Sequence, residues 1–244
     1  MDFSTIKSLL EKEFSMYRAR RVIFYALIAL PFLIGIVLAA FLTLIASVGT
    51  MQRLAIIIET NGTTFDLVIL ATFLASLFAS YSIVGERVEK SLEPLLAAPV
   101  TDGELLLAKI AAAFLPSVII TWIGGGIYMV FAEFTIGNRI GPNFFPNWPI
   151  MLNLFLLIPA MCLLSAEYGV IISSHITDIR AGMIFGLLGI YPFVAISLLS
   201  SFGYIILDDT TYLLICAIVA AIDVGLFYVS RAIFHREQLI AKSK

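Results

Sequence analysis

The sequence predicts an all-α integral membrane protein with six transmembrane helices. Three observations carry that expectation. The 244 residues are 61% hydrophobic and only 13% charged, with a mean hydropathy of +1.03, whereas soluble domains hold about 45–50% apolar residues. Six stretches, 22–48, 66–85, 105–134, 152–174, 181–207 and 211–233, each supply the roughly 20 mostly apolar residues that a span needs. Runs such as Val22 to Ile45 are apolar on every face, without the alternation a lipid-facing barrel requires, so helices alone satisfy their backbone in lipid.

Taken in order, residues 1–21 form an amphipathic helix ahead of the first span. Phe3, Ile6, Leu10, Phe14 and Tyr17 recur at helical spacing while Lys7, Glu11, Lys12 and Arg18 lie largely elsewhere, which suits a helix lying in the membrane interface. The flank is long and mixed in charge, and the apolar run after it exceeds the 7 to 15 residues of a signal-peptide core. It is therefore expected to stay on the protein.

Orientation follows from the basic residues. With the N-terminus in the cytoplasm, thirteen of the fifteen lysines and arginines fall in inner segments and only Arg53 and Arg139 in outer loops. Both termini and the segment from Glu86 to Ala108 are then inside a multi-pass protein of the cell (plasma) membrane. The net charge of -2 says nothing about nucleic acid, and none is expected as a partner.

The first outer loop, Gly49 to Phe65, holds an Asn61-Gly62-Thr63 sequon. In the second outer loop, 141–149, Phe144, Phe145 and Trp148 suit an interfacial aromatic belt. The inner loop Ser173 to Arg180 is short and polar. Gly124-Gly125-Gly126 in the third span, with Gly182, Gly186 and Gly189 in the fifth, offers small surfaces for close helix approach.

Two acids lie within spans, Glu167 in the fourth and Asp223 in the sixth. Such groups are costly in lipid and face protein or water. Each is a candidate for the transport path, or for hydrogen bonding between helices. Asp223 precedes Arg231 by two helical turns on one face. The two cysteines, Cys162 and Cys216, sit inside spans, and only two histidines exist, so metal chemistry has little to draw on. No G-x-x-x-x-G-K-[ST] occurs, and the chain has no P-loop of its own.

The densest information lies between the second and third spans. Glu86, Arg87, Glu89, Lys90 and Glu93 alternate with Val88, Leu92, Leu95 and Leu96, the spacing of a short amphipathic helix that needs a groove or surface for its apolar side. Pro94 and Pro99 interrupt it, and Thr101 with Glu104 fits a capping box opening the third span.

A Glu-Lys pair, then Ser-Leu-Glu-Pro-Leu-Leu, Ala-Pro-Val-Thr and a Leu-Leu-Leu-Ala-Lys run ending at Lys109 together resemble the ABC-2 type family of ABC transporter permeases. The layout of the whole chain is similar to that family; the specific resemblance is confined to this segment. The resemblance implies that 86–104 is a cytoplasmic coupling segment within a single permease domain, 1–244, with Glu86, Glu89, Glu93, Leu95 and Leu96 contacting the ATPase. It further implies no cofactor on this chain, ATP-Mg on a separate ABC ATPase subunit, a second permease copy or homologous permease, and export as the direction. Two departures stand out: Ala108 replaces a glycine common before the closing lysine, and only the short Asp208 to Thr211 region separates spans five and six where the family often has re-entrant helices.

The alternative is an ion- or proton-coupled secondary transporter using Glu167 and Asp223, although no repeated halves are visible. An intramembrane enzyme would need a nucleophile and base, and neither His175 nor His235 has an evident partner.

Overall fold

A computed structural model describes residues 3–19, 21–47, 53–80, 101–141, 144–175 and 188–233. The described residues form α1 (Phe3–Ala19), α2 (Arg21–Ser47), α3 (Arg53–Ser80), α4 (Asp102–Ile140), α5 (Trp148–Leu152), a π turn (Asn153–Leu157) running into α6 (Ile158–His175), a 3-10 turn (Leu188–Ile190), α7 (Tyr191–Ser201) and α8 (Asp209–Ile233). No strand occurs among them.

Among the described residues, five helical segments are long and apolar enough to cross a membrane: Ala29–Ser47, Arg53–Ser80, Asp102–Ile140, Trp148–Ser173 and Asp209–Arg231. The protein is thus an all-α, multi-pass membrane protein. The stretch expected as the fifth span is seen as a shorter apolar helical piece, Leu188–Ser201, preceded by residues outside those described. It ends at Ser201 rather than 207, because a turn follows in which Gly203 has φ +78°, a conformation that favours glycine. Pro192 sits in the first turn of α7, where a missing N–H is harmless, so it does not kink the middle of that helix.

α3 is the most enclosed span and α8 the least. The most extensive pairings are α2 with α4 and α3 with α6, followed by α3 with α4. Three apolar cores stack along the bundle. One, at the Asp102 end of α4, joins Leu105, Leu106 and Ile110 to Leu74 and Phe78 of α3 and Val170 of α6. A central core sets Phe65 and Val68 against Met161 and Tyr212. The third, at the far end, packs Tyr128, Ala132 and Ile136 on Ala39 and Leu42. The outward faces carry Phe32, Val37 and Leu44 on α2, Ile119 and Phe134 on α4, and Leu214 and Ile218 on α8, as acyl chains require.

The second span corrects the sequence expectation. α3 begins at Arg53, not at 66, which absorbs most of the expected outer loop into the bundle. Its threonines in this first half make this tolerable: Thr60, Thr63 and Thr64 each donate back to the carbonyl four residues earlier, at 2.7, 2.8 and 2.8 Å, so none of these three hydroxyls is left unsatisfied in an apolar setting. Asn61 is buried and engaged on three sides, so the sequon is no exposed glycosylation acceptor.

The glycine triplet packs within the subunit. A Cβ on Gly124 would meet Pro31 of α2, and one on Gly125 would lie 2.7 Å from Leu154, while Gly126 faces open space. Gly182 and Gly186 lie outside the described residues, and a Cβ on Gly189 would meet nothing within 4 Å among the described residues.

Candidate functional sites in the bundle

The five expected coupling residues, Glu86, Glu89, Glu93, Leu95 and Leu96, lie outside the described residues. What is described is the place where that segment enters α4. Thr101 caps the helix as the sequence expected: its backbone N–H donates to Glu104 Oε2 at 3.0 Å, and the Glu104 N–H donates to Thr101 Oγ1 at 3.3 Å. Both halves of the capping box are therefore made. The carbonyl of Thr101 accepts from Leu105 N–H at 3.0 Å.

Two turns further on, Lys109 is buried and its Nζ lies 2.5 Å from Glu13 Oε1 of α1. Lys109 is among the basic residues that the sequence places in the inner segments. In the structure it ties the N-terminal helix to the opening of α4. Glu13, not the expected apolar stripe alone, anchors α1; Leu9 packs on the core beside it, while Phe14 stays exposed. Lys7 and Glu11 pair at 3.9 Å on the exposed side of the same helix.

Glu167 and Asp223 come together. Both line one cavity of about 440 Å³ between α4, α6 and α8. Glu167 is 2% and Asp223 6% exposed, and Glu167 Oε2 and Asp223 Oδ1 accept no hydrogen bond among the described residues. Arg231 makes no ion pair with Asp223 there; eight residues of helix separate them by about 12 Å along the axis.

A second polar region was missed by the sequence reading because α3 starts so early. Asp66 borders a separate cavity of about 370 Å³ and accepts a hydrogen bond from Ser197 Oγ of α7 at 2.6 Å. Beside it, Asn61 Nδ2 donates to the Leu207 carbonyl at 3.1 Å, its Oδ1 accepts from Asn147 Nδ2 at 3.2 Å, and its carbonyl accepts from the Tyr212 hydroxyl at 3.0 Å. Asn153 Nδ2 donates to the Thr64 carbonyl at 2.7 Å, and Ser165 Oγ to that of Thr72 at 2.7 Å. These bonds tie α3 to α5, α6, α7 and α8. The signal available in sequence was the apolar run 54–58 followed by threonines that helices accept.

At the far end, Arg139 donates to the carbonyl of Ala46, joining α4 to α2. Phe145 meets Tyr128 and Phe144 edge to face, at 6.2 and 5.2 Å between centroids. Those two phenylalanines are packed inward, and of the three aromatic residues expected in the belt only Trp148 is exposed. Asp208 caps α8: its Oδ1 accepts from Thr211 Oγ1 at 2.7 Å, Thr211 N–H at 2.9 Å and Thr210 Oγ1 at 2.9 Å. These bonds, the Thr211 hydroxyl first, hold its carboxyl below the usual value.

Among the described residues, no three His, Cys, Asp or Glu side chains converge as metal ligands would. No curated protein matches the chain. Residues 9–189 match the family model described as "ABC-2 family transporter protein". That match covers most of the chain, including α3, the segment after it and α4, and the chain therefore belongs to the ABC-2 family of transporter proteins.

Proposed function

We propose that this chain is the permease subunit of an ABC exporter, with six spans and both termini in the cytoplasm. It lines the translocation path with a second permease copy, identical or homologous, and takes its energy from a separate ATPase subunit that holds ATP-Mg. The segment 86–104 is the coupling helix, and Glu86, Glu89, Glu93, Leu95 and Leu96 contact the ATPase.

One observation supports this reading above the others: the segment leads straight into a helix opening that is capped at Thr101 and clamped to α1 through Glu13 and Lys109. A push on residues 86–100 then displaces α1 and α4 together, because a buried, paired charge resists separation from its partner. α4 extends for 39 residues, about 58 Å, so displacement at its start is carried through the whole membrane thickness.

The test is affinity purification of the chain from its native membrane in mild detergent. A P-loop ATPase recovered in stoichiometric amount, and lost on Leu95→Asp, supports the reading. A preparation free of ATPase, repeated under crosslinking, favours the secondary transporter instead.

A further inference from the structure

We infer that the Glu167–Asp223 cavity is a binding site for a lipophilic organic cation, which is the transported substrate class if the export reading holds. Glu167 of α6 and Asp223 of α8 are each more than nine-tenths buried, line the same space and hold oxygens with no hydrogen-bond partner among the described residues. Among the described residues, no lysine, arginine or histidine lines the cavity. An unpaired carboxylate at such a place is expensive, and a bound positive charge offsets that cost.

The walls say which kind of cation fits. Ile110, Leu163, Phe227 and Tyr228 make the lining overwhelmingly apolar, and the two aromatic rings offer faces for a cation–π contact. A divalent metal ion wants six or more oxygen ligands, or several nitrogen and sulfur ones; two carboxylates in a hydrocarbon cavity do not supply them. The volume of about 440 Å³ lies in the range of cavities that enclose small organic molecules. Charge at one wall and apolar surface at the others select an amphiphile carrying an ammonium or phosphonium centre. The space is bounded by Val224 and Tyr228, both exposed on the lipid-facing side of α8, so such a molecule reaches it from the bilayer.

The probe is tetraphenylphosphonium, titrated against the purified full-length chain in phosphatidylglycerol nanodiscs, with neutral triphenylphosphine oxide as the control. Saturable binding of the cation, weakened about tenfold or more in Glu167→Gln and in Asp223→Asn and lost in the double variant, is expected; the neutral control binds no better to the wild type than to the variants. Val224→Trp narrows the cavity from an exposed position without touching a charge, and is expected to abolish binding while the protein keeps its thermal stability. Absence of saturable binding to the wild type, or equal affinity in the double variant, overturns the site. Repeating the titration with ethanolamine lipid distinguishes a free cation from an aminophospholipid headgroup: the lipid competes only if its ammonium is also taken. Binding is read without any ATPase, so loss of the site leaves ATPase co-purification intact, and loss of the permease reading leaves the binding isotherm intact.

Discussion

Glu13 of α1 and Lys109 of α4, ninety-six residues apart in sequence, form an ion pair of 2.5 Å in which each side chain is 3% exposed. Removing one partner strands a buried charge and costs about 3–5 kcal/mol, whereas replacing both by apolar groups of similar size is often neutral. Lys109→Met is therefore expected to lower the thermal denaturation midpoint in detergent sharply, and Glu13→Leu/Lys109→Met to recover most of the loss. A double variant whose loss equals the sum of the losses in Glu13→Leu and Lys109→Met would show that the two residues act independently.

The coupling assignment concerns residues beyond those described and is tested by function. Glu93→Lys or Leu95→Asp is expected to leave membrane insertion intact while ATP hydrolysis no longer drives transport. Full ATP-dependent transport in both variants would refute it.

Thr101→Ala removes the acceptor of the Glu104 N–H and is expected to cost about 1 kcal/mol. The cap lies where the pushed segment meets α4, so the variant is also expected to lower transport per ATP hydrolysed. Unchanged stability by denaturant titration would show that the last residues before α4 recap the helix.

Close approach of α2 and α4 depends on Gly35, where a Cβ would come within 2.6 Å of Ile127 and 2.7 Å of the Gly124 carbonyl. Gly35→Ala forces backbone apart and is expected to destabilise by about 1–3 kcal/mol. Gly225→Ala, with nothing within 4 Å of the added carbon, is expected to stabilise α8 by up to about 1 kcal/mol. Thermal unfolding of the two variants side by side checks the opposite signs.

Asp208 predicts a pH dependence. Its folded carboxyl titrates below the ordinary 3.8, chiefly because of the Thr211 hydroxyl. The stabilisation is complete above the unfolded value and lost as pH falls through the lower folded one. Asp208→Asn keeps a good cap but no titration, so the midpoint difference from wild type is expected to be constant above about pH 5 and to shrink below about pH 4. A difference that does not change with pH would remove Asp208 from the titration.

The all-helical membrane class and the capping box at Thr101 were legible in the sequence, because they follow from local hydropathy and from groups three residues apart; of the six expected spans, five are seen as long apolar helices among the described residues. The family was legible in the residues from Glu86 to Lys109, and the match over 9–189 agrees with it. Partners distant in sequence were not legible. Glu13 and Lys109, Asp66 and Ser197, and Asn61 with Leu207, Asn147 and Tyr212 meet only because the helices pack. The long α3 was missed because threonines and an asparagine look like loop to a hydropathy reading, whereas in the bundle the threonines bond back to carbonyls of α3 itself and Asn61 is met by Leu207 and Asn147 from beyond the helix. Glu167 and Asp223 were each visible as costly charges, but that they share one cavity was decided by the packing of α6 against α8. Hydropathy measures what a residue does toward solvent or lipid; which groups satisfy one another inside depends on helix rotation and register, which only the packed bundle sets.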